Sequence, residues 1–199
     1  MKDWIGNKAS TFVTLAASNH SDSKREDNDY YATDPKAVKM LLAVEKFNPY
    51  IWECACGEGH ISKELEKAGY KVWSTDLIDR GYGEVKDFFT FKTQTRENLD
   101  IITNPPYRYA KEFVEHAMEI VSNGCKVAML LKIQFLEGKA RKKLFDKYPP
   151  KKVYVFSSRV QCAINGNFEK CKSSAVCYAW FIWQKGFKGS TTIDWLIEE

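Results

Sequence analysis

The sequence predicts an α/β fold whose central sheet is mostly parallel and is covered by helices on both faces. Three observations carry this prediction. Apolar strand-like runs alternate with helical stripes from residue 35 to residue 183, a glycine turn follows the first of these strands, and an Asn-Pro-Pro-Tyr turn follows a later one. Alternation of strands and helices favours parallel pairing, because each crossover between parallel strands needs a connection about as long as a helix.

The predicted elements follow one another in a regular order. Strands are expected at residues 50–56, 71–75, near 85, 99–103, 126–131, 153–156 and 175–183, and helices from 35 to about 44 and at 60–68, 109–121 and 139–147. Asp34 is a suitable N-cap for the first helix, because Pro35 fits its first position.

The chain of 199 residues is long enough for one substantial core and too short for two full-size domains. Residues 1–29 show no periodicity that could bury a face, so we expect a polar N-terminal arm there. A domain at residues 30–185 and a C-terminal tail at 186–199 complete the predicted organisation.

The composition indicates an ordinary globular protein. The chain has neither an apolar run of the ~18–20 residues that span a bilayer nor an N-terminal signal-like stretch, so we expect no membrane contact and a cytoplasmic location. In that compartment the six cysteines are expected as free thiols. The histidines occur at no metal-ligand spacing, and no metal site is expected.

Positive charge is concentrated in residues 132–152. This segment carries eight basic and two acidic residues, a net charge of +6 within a chain of net charge +4, so the remaining residues sum to −2. Such a segment is typical of a face that binds a polyanion. A solvated helix surface would show the same pattern, and the charges alone do not separate these interpretations.

The first predicted strand-to-helix turn, residues 53–59, lies where open α/β sheets commonly bind ligands. Gly57 and Gly59 would let a ligand approach the backbone closely, although a tight turn without a ligand would look the same. Ser62 replaces the third glycine of a dinucleotide-binding turn, and no phosphate-binding lysine follows. A nucleoside without phosphates is the ligand class that remains compatible with this turn. Asp76 is placed to accept hydrogen bonds from ribose hydroxyls, unless it is only a loop or capping residue.

The most specific motif is Asn104-Pro105-Pro106-Tyr107, directly after the predicted strand at 99–103. The prolines fix the backbone and leave carbonyl oxygens free to accept hydrogen bonds. The Asn104 side-chain oxygen and the Pro105 carbonyl can then both accept from one planar amino group, which frees the nitrogen lone pair to attack an electrophile. Tyr107 offers a flat face for a base or amide. A plain surface turn needs neither Asn104 nor Tyr107, so we predict that all four residues are catalytic.

Together these motifs resemble those of the class I S-adenosylmethionine-dependent amino-group methyltransferases, and most of all the N6-adenine DNA methyltransferases, including small phage and bacterial members. The resemblance extends from about residue 30 to residue 183. It implies a Rossmann-like methyltransferase fold with an antiparallel C-terminal strand and S-adenosylmethionine as the cofactor. It further implies methyl transfer to an exocyclic amino group, foremost N6 of an adenine flipped out of duplex DNA.

The resemblance also assigns residues to the cofactor. An aromatic-Tyr-Thr-Pro element of the family is similar to residues 30–35, which here carry inserted residues. Asp87-Phe88 matches the family's position for contacts to the cofactor adenine, although a loop aspartate beside core aromatics would give the same pattern. Cys54 stands where the family usually has proline. The implied cofactor contacts are Tyr31, Thr33, Glu53, Ala55, Gly57, Gly59, Asp76, Leu77, Asp87, Phe88 and Asn104.

Other functions share parts of this pattern. The same motif serves adenine in RNA and glutamine amides in proteins, and a non-catalytic nucleic-acid-binding subunit is a further alternative. An NAD-dependent enzyme is disfavoured by Ser62. Sequence-specific members of the family carry a sizeable target-recognition region, whereas this chain offers residues 157–174 and the basic helix around Arg141. The target sequence and the oligomeric state are therefore not predicted.

Overall fold

An eight-stranded sheet dominates the computed structural model, which describes residues 31–93, 96–160, 162–164 and 176–198. The described strands are β1 (Tyr31–Thr33), β2 (Tyr50–Glu53), β3 (Lys71–Asp76), β4 (Glu84–Val85), β5 (Leu99–Thr103), β6 (Lys126–Lys132), β7 (Lys152–Phe156), β8 (Cys162–Ile164), β9 (Tyr178–Gln184) and β10 (Thr192–Leu196). The described helices are α1 (Pro35–Val44), α2 (His60–Lys67), α3 (Ala110–Ile120) and α4 (Lys139–Lys147), and 3₁₀ turns lie at Phe88–Thr90, Tyr107–Tyr109 and Ile133–Leu136.

The strand order in the main sheet is β10-β7-β9-β6-β5-β2-β3-β4. All neighbouring pairs are parallel except those of β9, which is antiparallel to both β6 and β7. The predicted, mostly parallel sheet with an antiparallel C-terminal strand is confirmed. The strand order reverses between β2 and β5, so the carboxyl ends of β2, β3 and β5 border one crevice.

Helices cover both faces of the sheet, as predicted. Along β6, successive side chains alternate between two apolar clusters: Met129 packs on the face that contains Phe113 of α3, and Leu130 packs on the face that contains Leu41 of α1 and Leu65 of α2. This alternation follows from the two-residue period of a strand. Because both faces are buried, the central strands read as continuous apolar runs rather than as alternating ones.

The first helix begins as the sequence indicates. The Asp34 side chain accepts a hydrogen bond from the backbone N–H of Lys36 at 2.9 Å, and Pro35 occupies the first helical turn. A proline is tolerated there because backbone N–H groups of the first turn have no intrahelical acceptor, so the N–H that proline lacks is not needed.

The structure changes the predicted C-terminal boundary. Residues 186–199 were expected to be a tail, yet they contain β10, which pairs in parallel with β7 at the edge of the main sheet. Trp195 of β10 is 60% exposed. A strand at a sheet edge buries few side chains, so its pattern resembles that of a polar tail. The predicted N-terminal arm lies outside the described residues.

The segment 157–174, expected to be a loop, contains the short strand β8. This strand pairs antiparallel with β1 in a separate two-stranded sheet, with Thr33 opposite Cys162. Three-residue strands are too short for a periodic signal, which explains why the sequence does not reveal them. Arg159, one of the polar residues of this segment, is exposed, whereas Asn165, Asn167, Lys170 and Lys172 lie outside the described residues.

Within the described ranges, no helix has both the length and the apolar character needed to traverse a membrane.

Candidate active site

A cavity of about 1020 Å³ opens at the crevice between β2 and β5. Glu53 at the end of β2, Asp76 at the end of β3 and Asn104 directly after β5 all line it. Small-molecule sites usually enclose ~300–1,000 Å³. The cavity can therefore hold a nucleoside-sized ligand together with part of a second planar group.

Most residues predicted for the site meet in this cavity. Those that line it are Tyr31, Thr33, Glu53, Ala55, Asp76, Leu77, Asp87, Phe88, Asn104, Pro106 and Tyr107. Three others, Gly57, Gly59 and Pro105, do not line it. The structure thus brings together residues that are up to 76 positions apart in the chain, from Tyr31 to Tyr107.

The Asn104 side chain is held by its amide nitrogen. Nδ2 donates to the carbonyl oxygen of Tyr31 and to Oγ1 of Thr33, both at 3.0 Å. The amide oxygen Oδ1 is buried and has no hydrogen-bond partner among the described residues. Leaving a buried acceptor unpaired costs about 1–3 kcal/mol. The site therefore presents an acceptor that a ligand donor would satisfy.

The two prolines of the motif shape the turn that follows Asn104. Pro105 is buried, and the Pro106 carbonyl accepts a hydrogen bond from the Tyr109 N–H at 2.9 Å, which closes the 3₁₀ turn. Two prolines limit the conformations open to the chain directly after β5. The predicted contact of the Pro105 carbonyl with an amine stays a prediction.

The ring of Tyr107 lines the cavity but already has protein neighbours. Its centroid lies 5.4 Å from that of Tyr31 and 5.8 Å from that of Tyr178, and Lys132 Nζ lies 4.9 Å from it. The hydroxyl is buried near Cys162, and burial raises the pKa of Tyr107 well above its usual value. A planar ligand would meet a ring that these neighbours hold in place.

Glu53 is 1% exposed and supports the helix that follows the glycine turn. Its Oε2 accepts from the Ser62 backbone N–H at 2.8 Å and from the Ser62 hydroxyl. Since the N-cap Gly59 has no side chain, the Glu53 carboxyl group substitutes for a cap. Burial raises the pKa of Glu53 to about 8, an effect that the Ser62 hydrogen bonds partly offset and the negative charge of Asp76 reinforces. Glu53 is consequently largely neutral near pH 7.

Ser62, at the position of the third glycine of a dinucleotide-binding turn, has a structural role. Its hydroxyl is within 2.6 Å of the Ser74 hydroxyl and also contacts Glu53, so it links α2 to both β2 and β3. The sequence indicated only that Ser62 disfavours dinucleotides. Its structural role has no sequence signal, because the partners are 9 and 12 residues away.

Asp76 connects the loops after β2 and β3. One carboxylate oxygen accepts from the Gly57 N–H at 2.8 Å and the other from the Ile78 N–H at 3.0 Å. Each carboxylate oxygen can accept more than one hydrogen bond. The side chain can thus hold the turn and still receive two hydroxyl donors from a ligand.

The glycine turn achieves its shape through left-handed backbone angles. Gly57 has a φ of +54° and Gly59 a φ of +77°, a region that side chains with a Cβ rarely adopt. The space above Gly59 is filled by the ring of Tyr82. The sequence left open whether this turn lets a ligand approach its backbone or is only a tight turn. At Gly59 the missing side chain makes room for a protein ring.

The structure shows the loop and core contacts of Asp87-Phe88, whereas their contact with an adenine stays a prediction. The Asp87 side chain accepts from the Phe89 N–H at 2.9 Å and caps a 3₁₀ turn, while Phe88 packs against Trp52 and Phe113 in the core. Both residues nevertheless line the cavity. Leu77, which is 64% exposed, lies at its rim.

Several lining residues were not predicted as site residues from the sequence. They are Ala32, Cys54, Cys56, His60, Ile61, Ile78, Arg80, Phe89, Arg108, Tyr109, Phe113 and Lys132. Most of them follow a predicted strand end, which is the signal that could have found them. In the part of the chain that the structure describes, no cluster of three or more histidine, cysteine, aspartate or glutamate side chains is arranged to hold a metal ion.

Comparisons with known proteins identify the fold. No protein-family model and no curated protein sequence matches the chain. Among solved structures, a "modification subunit of a putative type I restriction enzyme" from Vibrio vulnificus matches with a TM-score of 0.58 and 12% identity over 92% of this chain. The chain spans about half, 49%, of the length of that subunit.

Two further structures match with a TM-score of 0.55 and 12% identity. One is a "putative class I S-adenosylmethionine-dependent methyltransferase" from Listeria monocytogenes, with 95% of this chain and 72% of that chain covered. The other is a "putative RNA methyltransferase" from Pyrococcus horikoshii, with 76% and 82% covered. The sheet and its helices thus have the Rossmann-like fold of these methyltransferases.

Proposed function

We propose that this protein transfers a methyl group from S-adenosylmethionine to an exocyclic amino group, foremost N6 of adenine in DNA. The observation that carries the proposal is the amide oxygen of Asn104, a residue that lines the cavity: this oxygen is buried and has no partner among the described residues. An amino group is the kind of donor that would satisfy it. The position of the cavity also fits a ligand site, since ligands of open α/β sheets bind beyond the carboxyl ends of the strands at the point where strand order reverses.

The residues around the cavity fit S-adenosylmethionine. Asp76 has acceptor capacity left for ribose hydroxyls, and Phe88 and Asp87 offer an apolar face and a polar rim for an adenine. The Listeria structure with this fold is named for the same cofactor. When bound, S-adenosylmethionine supplies a methyl group on a positively charged sulfur, which is open to attack by a nitrogen lone pair.

In this proposal, the contribution of the protein is positioning. Asn104 Oδ1 accepts an N–H bond of the amine, and Tyr107 confines the plane of the ring that carries it. Holding two reactants in attacking geometry is worth up to about 7–11 kcal/mol. No strong base is required, because the methylated nitrogen is acidic and gives up its proton to water.

Positive charge near the cavity supports a nucleic acid substrate over a protein amide. Lys132 lines the cavity beside Tyr107 and has no carboxylate partner in the described part of the chain. The basic helix α4 starts just beyond it, after the turn Ile133–Leu136, with Lys139 and Lys143 exposed. Phosphates of a nucleic acid backbone complement such charges. A target base in a duplex would have to flip out to reach the cavity.

The substrate class is tested by incubating the protein with methyl-labelled S-adenosylmethionine and, in separate reactions, duplex DNA, RNA of the same sequence and a glutamine-containing peptide. We expect label in DNA, recovered as N6-methyladenine after digestion. Label only in RNA or only in the peptide would replace DNA with that substrate. Absence of S-adenosylmethionine binding in calorimetry would contradict the proposed activity.

A further inference from the structure

We infer that Thr33 is a positioning residue: it accepts one amide hydrogen of Asn104 and so keeps the amide oxygen turned toward the methyl acceptor. This inference rests on the proposed function and deepens it. The resemblance to methyltransferases assigned Thr33 only to the cofactor. The contact between Thr33 and Asn104 gives it a second, separate task.

The orientation of the Asn104 amide is fixed by two acceptors. Its nitrogen has two hydrogens, and both are used at 3.0 Å, one by the Tyr31 carbonyl and one by Thr33 Oγ1. A carbonyl can only accept, so a flipped amide would set two oxygens against each other. With the nitrogen saturated, the remaining acceptor Oδ1 is left for a ligand.

Thr33 is itself held firmly in place. Its side chain is buried, and it lies at the end of β1, where its backbone pairs with Cys162 of β8. At the other end of β1, the ring of Tyr31 packs against Tyr107. A two-stranded ladder alone is only marginally stable. The contacts to Asn104 and Tyr107 therefore join β1 to the same turn that it orients.

A cofactor contact and a positioning contact predict different effects of the isosteric change Thr33→Val. Valine keeps the shape of threonine but cannot accept a hydrogen bond. Loss of positioning lowers kcat by about tenfold or more and leaves the Kd for S-adenosylmethionine within about threefold. Loss of a cofactor contact would instead raise that Kd and leave kcat unchanged.

Thr33→Ser restores the acceptor and should return kcat to within about threefold of wild type, because only one methyl group is lost. Thr192→Val is the matched control, since Thr192 is exposed on the edge strand β10, far in the fold from Asn104. We expect it to leave both kcat and Kd unchanged. Thermal unfolding verifies that each variant is folded, and Thr33→Ala provides the same readouts if the valine variant does not fold.

A measurement independent of turnover is the pair of side-chain NH₂ resonances of Asn104 in ¹⁵N NMR spectra, assigned by their loss in Asn104→Ala. In Thr33→Val, one proton of the pair should move upfield as its hydrogen bond is lost, and Thr33→Ser should restore it. Unchanged resonances, or wild-type kcat in Thr33→Val, would overturn the inference. If the wild type transfers no methyl group to any substrate, the proposed function fails, while the resonances still decide whether Thr33 holds Asn104.

Discussion

The ring of Tyr82 occupies the space that a side chain at Gly59 would need. A Cβ atom on Gly59 would lie 2.4 Å from two ring carbons of Tyr82, well inside van der Waals contact. The Tyr82 hydroxyl donates to Glu66 of α2 at 3.2 Å, which ties the ring to the helix that Gly59 starts. Glycine at this position thus allows the loop after β3 to close over the glycine turn.

Gly59→Ala should therefore be strongly destabilising. The φ of +77° costs a residue with a Cβ about 1–2 kcal/mol, and displacement of the Tyr82 ring adds to this cost. Urea denaturation measures the change in free energy of unfolding. The matched control is Gly81→Ala, because Gly81 has the same φ of +77° but no described atom within 4 Å of the position that a Cβ would take. Equal losses for the two variants would contradict a steric role of Tyr82.

Asp76→Ala should weaken cofactor binding by at least about tenfold. It removes the acceptor proposed for the ribose hydroxyls, and it also leaves the N–H groups of Gly57 and Ile78 without their partner, at a cost of about 1–3 kcal/mol in stability. Calorimetry with S-adenosylmethionine gives the affinity. Asp79→Ala is a suitable control, since Asp79 likewise accepts a loop N–H, that of Gly81 at 2.9 Å, but does not line the cavity. If both variants lost affinity equally, the effect would come from loop structure rather than from Asp76.

The sequence predicted the central strands, the helices and much of the site because these depend on local pattern. Apolar runs of β2, β5 and β6 reveal buried parallel strands, and residues after strand ends converge by the geometry of the fold. Asn104 and Asp76 were proposed as site residues in this way. Their convergence in one cavity needs no information beyond the strand order.

Long-range contacts could not be predicted from the same pattern. The pairing of β1 with β8 joins three-residue strands about 130 positions apart, and the ring of Tyr82 reaches Gly59 across 23 residues. β10 was taken for a tail because an edge strand exposes side chains such as Ile193 and Trp195. In each case packing in three dimensions, rather than local propensity, decides the structure.

The pKa of Glu53 predicts a pH dependence of stability. Its folded-state pKa of about 8 lies above the ordinary value of 4.5, so the folded protein binds a proton that the unfolded chain has released. The contribution of Glu53 to stability is thus fully present below pH 4.5 and is lost as pH rises to about 8. The difference in free energy of unfolding between wild type and Glu53→Gln should fall across this window and be flat above it. A difference that is constant from pH 4.5 to 8 would show that Glu53 is ionised in the folded protein.

The basic helix α4 predicts a salt-dependent affinity for nucleic acid. Each lysine that neutralises a phosphate contributes about one counterion, so Lys139→Gln and Lys143→Gln should each reduce the slope of log K against log salt by about one. Fluorescence anisotropy with a labelled duplex measures this slope. Lys188→Gln is the control, because Lys188 follows β9 at the opposite end of the strands, where Gln184 pairs with Lys126 at the start of β6. The same slope in all variants would exclude α4 from the nucleic-acid interface.

The central claim is that Asn104 holds the amine that receives the methyl group. The most direct test compares wild type with Asn104→Ala in the transfer of label from S-adenosylmethionine to adenine in duplex DNA. We predict that Asn104→Ala lowers the transfer rate by at least about a hundredfold while its affinity for S-adenosylmethionine stays within about tenfold. Full activity of Asn104→Ala in the same assay would contradict the account.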